Sequence, residues 1–225
     1  MVSDAQAPQG TNQYFDVSPT SKDDTRVIPV RLDGRDVEVM TSAGVFSPGH
    51  IDTGTSVLLR TVGAPPSGTV VDVGCGWGPI ALTMAMRNPD AQVWAVDVNE
   101  RSVALTARNA QRLDLHCINA VLASDIPEDF VVDELWSNPP IRIGKEALHA
   151  LITQWLVRLR PGGRAVWVVQ RHLGADSLMR WMNAQFAGED RVTPGRYVTT
   201  KRASAKGFRV LETVHVAEQV ARPDH

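Results

Sequence analysis

Asn138-Pro139-Pro140-Ile141 is the stretch of this 225-residue chain with the most chemistry in it. It follows the apolar run Val131–Trp136 and one serine, Ser137. The Asn138 side-chain oxygen and the Pro139 carbonyl are acceptors set side by side. Two prolines stiffen the backbone that aims them, and Pro139 has no N–H to compete. Such acceptors can grip the N–H bonds of a planar amine or amide and turn its lone pair toward an electrophile. That nitrogen is a poor nucleophile because its lone pair is delocalised. It needs no strong base, and no His–Asp or Cys–His pair stands out. The chemistry is positioning for in-line attack. The alternative is a rigid turn with no chemistry, which the place after a strand disfavours.

The electrophile needs a holder, and a glycine turn lies upstream. Asp72-Val73-Gly74-Cys75-Gly76-Trp77-Gly78 follows the buried-strand run Thr69–Val73. Glycines allow backbone angles and close ligand approach that a Cβ forbids. Pro79 suits the first turn of the next helix. The third glycine comes one residue too early for the dinucleotide fingerprint, which argues against a nicotinamide oxidoreductase. Asp72, at the strand end, is placed to meet an ammonium. Asp97 ends the next strand, 25 residues on, where an acid can accept from both hydroxyls of a ribose. Ser124-Asp125 follows the third strand, where a carboxylate can accept from an adenine amino group. Any one of these acids could be only a helix cap or turn residue. Three along one edge argue for a nucleoside site.

The elements that must carry these residues alternate between strand and helix. Strands are expected at Thr69–Val73, Gln92–Val96, Leu115–Val121, Val131–Trp136 and Arg164–Val169, and helices at Ile80–Asn88, Glu100–Leu113, Lys145–Leu159 and Ala175–Ala187. This pattern predicts an α/β, Rossmann-like fold with helices on both faces of a mostly parallel sheet. Right-handed crossovers place every strand's C-terminal end along one edge, where ligands bind. Pro161-Gly162-Gly163 reads as a tight turn into the fifth strand. Val192–Thr199 and Phe208–Val216 read as a closing antiparallel pair joined by a basic loop, Thr200–Gly207, which completes seven strands. Upstream, Val27–Leu32 and Arg35–Met40 flank Asp33-Gly34, a two-residue hairpin signal. A short helix is expected at Thr55–Val62. The domain reading is a disordered lead-in at 1–13, a hairpin and helix appended at 14–68, and a core at 69–225.

With 43% hydrophobic residues the chain can bury a sizeable core. The net charge of −2 hides an asymmetry: residues 1–150 carry 11 Lys/Arg and 19 Asp/Glu, whereas residues 151–210 carry 11 and 3. The second segment's excess predicts a basic face for a polyanion, against the alternative of a solvated surface. Two cysteines, Cys75 and Cys117, make neither a disulfide framework nor a metal site, and the scattered histidines lack ligand spacing. His50 reads as a surface residue. The six tryptophans read as core, except Trp77 inside the glycine turn. The first residues, Met1–Asn12, are too polar for a signal peptide. No run reaches the roughly 20 apolar residues of a membrane helix. A soluble, cytoplasmic protein is expected.

The chain resembles the class I S-adenosylmethionine-dependent methyltransferases, specifically the small-domain group that includes the ribosomal RNA guanine-N2 enzymes. The resemblance runs from about Tyr14 to Val216. Its carrying residues are Gly44-Val45-Phe46-Ser47 with Asp52-Thr53-Gly54-Thr55, the glycine turn, and Asn138-Pro139-Pro140-Ile141-Arg142 with Gly144-Lys145. It implies S-adenosylmethionine as cofactor and no metal. It implies a cofactor site of Asp52, Thr55, Asp72, Gly74, Cys75, Gly76, Gly78, Asp97, Val98, Ser124, Asp125 and Asn138. Asp97 would hold the ribose and Asp125 the adenine. Asn138 and Pro139 would be catalytic, with Pro140, Ile141 and Arg142 on the substrate. The implied acceptor is the exocyclic N2 amine of a guanosine in ribosomal RNA, unpaired or flipped out, since a stacked base could not reach the pocket. Adenine N6, a protein glutamine amide and a non-catalytic RNA-binding module are the alternatives. Two departures stand out. Ile141 replaces the aromatic residue that many Asn-Pro-Pro enzymes stack on the base. The resemblance is expected to be to single-domain members, without the extra N-terminal half of the better-known bacterial enzymes.

Overall fold

A computed structural model of the chain describes residues 25–45, 47, 49–187 and 196–217. The expected lead-in at 1–13, the start of the resemblance at Tyr14, Phe46 and residues 192–195 of the expected penultimate strand lie outside the described residues.

Two sheets form. Strands β1 (Thr25–Leu32) and β2 (Arg35–Ser42) pair antiparallel. Their turn places Asp33 at φ 47° and Gly34 at φ 78°, as Asp-Gly in a two-residue hairpin should. The main sheet has seven strands: β3 (Thr69–Val73), β4 (Gln92–Asp97), β5 (Ile118–Leu122), β6 (Val132–Ser137), β7 (Leu159–Gln170), β8 (Arg196–Ala205) and β9 (Phe208–Val216). Their order is β5-β4-β3-β6-β7-β9-β8. β3 to β7 run parallel, and β9 is antiparallel to both neighbours. The chain switches direction across the sheet between β3 and β6, so the crevice at the switch point opens between the ends of those two strands.

Period-two alternation sends neighbouring residues to opposite faces. Leu135 and Trp167 face helices α4 (Lys145–Leu156) and α5 (Ala175–Gln185). Trp136 and Val166 face α1 (Thr53–Thr61) and α2 (Pro79–Arg87). Both tryptophans are fully buried. A third cluster joins the β1–β2 hairpin to α2 and to α3 (Glu100–Arg112): Val30, Leu32 and Val39 pack with Trp77, Leu82 and Leu105. Trp77 is therefore core after all, 1% exposed although it borders the crevice.

Several boundaries move for physical reasons. β5 starts at Ile118 rather than Leu115, because Leu115 N–H closes the end of α3 on the Ala110 carbonyl (2.9 Å) after Asp114 turns left-handed. α4 stops at Leu156, because Leu159 already pairs with Val132. Pro161-Gly162-Gly163 is no separate turn but an irregularity inside β7, where the register against β6 shifts between Val132 and Glu134. The expected basic loop Thr200–Gly207 is mostly strand: β8 runs to Ala205, and only Lys206-Gly207 turns.

The candidate active site

The glycine turn is held by its neighbours' backbones. Gly74 and Cys75 N–H both reach the Val96 carbonyl at the end of β4 (2.8 and 3.1 Å), and Gly78 N–H returns to the Cys75 carbonyl (2.9 Å). Gly74, Gly76 and Gly78 all take positive φ, of 80°, 59° and 97°. A Cβ on Gly78 would also come within 3.0 Å of the Thr106 side chain. Asn109 of α3, fully buried, pins the turn to the hairpin. Its amide donates to the carbonyls of Trp77 (2.8 Å) and Met40 (2.9 Å) and accepts from Met40 N–H (2.6 Å). Nothing in the sequence singled out Asn109; a polar residue on the buried face of an amphipathic helix is the only trace it leaves.

Asp97 sits beside this turn. Its Oδ2 accepts from Gly76 N–H (3.0 Å) and its Oδ1 from Asn99 N–H (3.0 Å). Each oxygen keeps a lone pair, so the carboxylate can take further donors. Val98 follows with 73% of its surface exposed, an apolar side chain left in the open. Ser124 and Asp125 lie in the short 3-10 turn that follows β5, with Ser124 Oγ donating to Asp125 Oδ1 (3.1 Å). Asp72 behaves differently. It is fully buried and does not line the crevice; its Oδ2 accepts from Ala81 N–H (3.0 Å) in the first turn of α2. Its Oδ1 is buried without a partner among the described residues. Burial pushes its carboxyl up to about 8, against the Ala81 hydrogen bond, and the nearby Asp97 adds to the rise. At neutral pH it is largely a neutral acid within the wall. Burial likewise raises the Cys75 thiol, so Cys75 is wall rather than nucleophile.

Across the turn stands Asn138. Ser137 Oγ donates to the Val73 carbonyl (2.7 Å) and so ties the end of β6 to the end of β3. The Asn138 amide then reaches Asp52 Oδ2 (2.9 Å) and Thr55 Oγ1 (3.1 Å). Asp52 caps α1, accepting from Gly54 N–H (2.7 Å) and Thr55 N–H (3.2 Å), which is why the helix begins earlier than apolar spacing alone suggested. Pro139 is buried, Pro140 exposed and Ile141 half-buried. The side chain of Arg142 is outside the described residues. His50 is exposed, its carbonyl accepting from Ser47 Oγ (2.9 Å).

These pieces enclose one crevice. Ser47, Asp52, Thr55, Asn138 and the turn from Gly74 to Trp77 line a space of about 350 Å³, mouth included. Asp97, Val98, Ser124 and Asp125 lie farther along the same strand-end edge. The β8–β9 turn stands on the other side. Arg171 N–H donates to the Gly207 carbonyl (2.8 Å), and Phe208 packs so closely on Gly54 that a Cβ there would lie 2.8 Å from the ring. Among the described residues no group of three or more His, Cys, Asp or Glu is placed to hold a metal ion. Nor is any described helix long and apolar enough to cross a membrane.

Known proteins resemble the chain in sequence and in fold. The chain is 30% identical over 180 residues to the uncharacterized protein YbxB of Bacillus subtilis, a match spanning 78% of this chain and 90% of that one. It is 30% identical over 160 residues to ribosomal RNA small subunit methyltransferase C of Psychromonas ingrahamii, covering 68% of this chain and 45% of the relative. The chain thus spans about half the length of that relative. Among solved structures, the T. thermophilus 16S rRNA N2 G1207 methyltransferase (RsmC), in complex with AdoMet and guanosine, superposes with a TM-score of 0.70 at 21% identity, over 84% of this chain and 50% of that one. That likeness shows the fold. The family model for the methyltransferase small domain matches residues 36–197, which takes in the hairpin's second strand, the glycine turn and Asn138-Pro139-Pro140, and the chain belongs to that family.

Proposed function

We propose that the protein transfers a methyl group from S-adenosylmethionine to the exocyclic N2 amine of a guanosine in ribosomal RNA. One observation carries the reading: the side-chain amide of Asn138 is fixed across a crevice from the glycine turn, with both its protons spent on Asp52 and Thr55. In this reading the bound cofactor supplies the electrophilic methyl on a sulfonium. The main chain of Gly74, Cys75 and Gly76 borders the methionine moiety, Asp97 accepts from the ribose hydroxyls, Val98 offers its exposed surface to the adenine and Asp125 accepts from the adenine amino group. Asn138 Oδ1 and the Pro139 carbonyl accept from the two N–H bonds of the target amine and aim its lone pair. No side chain acts as a strong base, because the methylated amine loses its proton readily to water. The small-subunit ribosomal RNA methyltransferases among the relatives favour an RNA acceptor.

The RNA contact assigned to the basic C-terminal segment is narrower than its charge suggests. Arg160, Arg164, Arg202 and Arg209 are occupied by Asp133, Glu134, Glu212 and Asp176. Arg171, Lys201 and Lys206 are exposed and hold no ion pair among the described residues. They belong to the β7 end, β8 and its turn, on the same edge as the crevice, so they are the residues proposed to meet phosphates there. A cytoplasmic location goes with this substrate.

The test is incubation with labelled S-adenosylmethionine and fractionated RNA or protein, then digestion to nucleosides or amino acids. Label in N2-methylguanosine from ribosomal RNA is expected. Label in N6-methyladenosine or methylglutamine would replace the proposed acceptor.

A further inference from the structure

The amide of Asn138 has two faces, and only one can serve an amine. We propose that Asp52 and Thr55 are positioning residues that lock this amide with its NH2 group turned away from the substrate, so that Asn138 meets the acceptor nitrogen only as a hydrogen-bond acceptor. The inference rests on the methyltransfer reading above and adds what sets the acceptor class.

An asparagine amide can rotate by half a turn with little change in shape, and a free one would present either oxygen or NH2 to a ligand. Here the rotation is decided. Asp52 Oδ2 lies 2.9 Å from Nδ2, and Thr55 Oγ1 lies 3.1 Å from it. The reversed amide would set its carbonyl oxygen against a carboxylate at that same distance, with no proton between them. Asp52 is itself immobilised by Gly54 and Thr55 N–H at the start of α1, where the helix dipole favours its charge. Thr55 is 3% exposed, so its hydroxyl cannot turn to solvent instead. Both amide protons are thereby consumed, and Oδ1 has no partner among the described residues. A nitrogen that carries N–H bonds is welcomed. A bare ring nitrogen or a carbonyl oxygen, which would need a donor from Asn138, meets an acceptor instead. The site therefore selects primary amines and amides over ring-nitrogen and oxygen acceptors.

Thr55→Val keeps the shape and removes one of the two anchors. We expect turnover on ribosomal RNA at saturating S-adenosylmethionine to fall about tenfold or more, and Thr55→Ser to recover most of the loss. In an Asn138→Ala background Thr55→Val should cost nothing further, since the lock acts only through that amide. A structural role for Thr55 would instead lower both backgrounds equally. Wild-type turnover in Thr55→Val, or additive losses in the double variant, would overturn the lock. A second readout is independent of turnover. The Asn138 side-chain NH2 resonances, identified by their loss in Asn138→Ala, should exchange slowly with solvent in wild type and faster in Thr55→Val. Equal exchange in both overturns the proposal. Were the wild type to label no RNA, the acceptor assignment would fail while the exchange measurement still decided the lock.

Discussion

The two walls of the crevice are made of different material. The wall proposed for the cofactor is mostly main chain: three glycines in left-handed conformations, their N–H groups tied to the Val96 and Cys75 carbonyls and the Asp97 carboxylate, with side chains such as Cys75 and Trp77 turned into the core. The wall proposed for the acceptor is side chain: the termini of Asn138, just past the end of β6, and of Asp52 and Thr55, at the start of α1. A main-chain wall is set by conformation and tolerates any side chain that leaves the φ angles alone. A side-chain wall is set by terminal atoms, and the backbone beneath it is indifferent to their loss. Substitutions should divide accordingly, between those that change affinity for the cofactor and those that change turnover.

The sharpest division is expected at Asn138. Asn138→Ala should lower kcat by roughly 10²–10³-fold, as for loss of one preorganised polar group, and leave cofactor affinity nearly unchanged. Single-turnover kinetics with calorimetry checks both halves; a matched fall in affinity would mean that the walls are not separable. Asp97→Ala should do the reverse, weakening the cofactor by about 1.5–3 kcal/mol, or roughly 10- to 150-fold, since its bonds to ligand are charge-assisted. Unchanged affinity in the folded variant would remove Asp97 from that wall.

Asp72 tests how far the cofactor wall depends on a neutral acid behind it. Its carboxyl titrates near 8 in the folded chain against a usual 3.8. The folded state therefore holds this proton more tightly than the unfolded one. The stability that it contributes is complete below about pH 4 and is lost as pH rises through about 8. Asp72→Asn should reduce the decline between pH 5 and 8.5 in urea melts, and an unaltered slope would place the titration elsewhere. The smallest effect belongs to the outer rim. Replacing Arg171, Lys201 and Lys206 by alanine should flatten the dependence of log K for RNA on log salt by about two units, with cofactor affinity unchanged. Equal slopes would show that RNA approaches the acceptor wall from another side.

The sequence was most readable where local rules decide. Asp33-Gly34, the alternating apolar runs and the glycine turn each carry their own physics, and each element stands where expected within a few residues. Asn138-Pro139-Pro140 and Asp52 to Thr55 could be recognised separately, but no spacing announces that Asp52 and Asn138, 86 residues apart, share a hydrogen bond. Asp72 misled for a related reason. An acid at a strand end reads the same whether it faces a ligand or caps the next helix from behind, and only burial separates the two. The basic segment reads as freer than it is because charge in a chain is counted singly, whereas in the fold Arg164 pairs with Glu134 and Arg202 with Glu212. The strand character of Lys201 and Arg202 was hidden because β8 lies on the sheet edge and is polar along its exposed half.

Asn109 ties the first hairpin to the glycine turn by the same amide that would otherwise be a buried orphan. Thermodynamic reciprocity then applies. If the paired hairpin favours the turn conformation that takes up the cofactor, occupancy of the turn must favour the paired hairpin by the same free energy. Hydrogen exchange at Val37, Val39 and Met40 should therefore slow when S-adenosylmethionine is added, although none of these residues lines the crevice, and Asn109→Ala should uncouple the two. The hairpin would thus be a remote gauge of whether the cofactor is aboard.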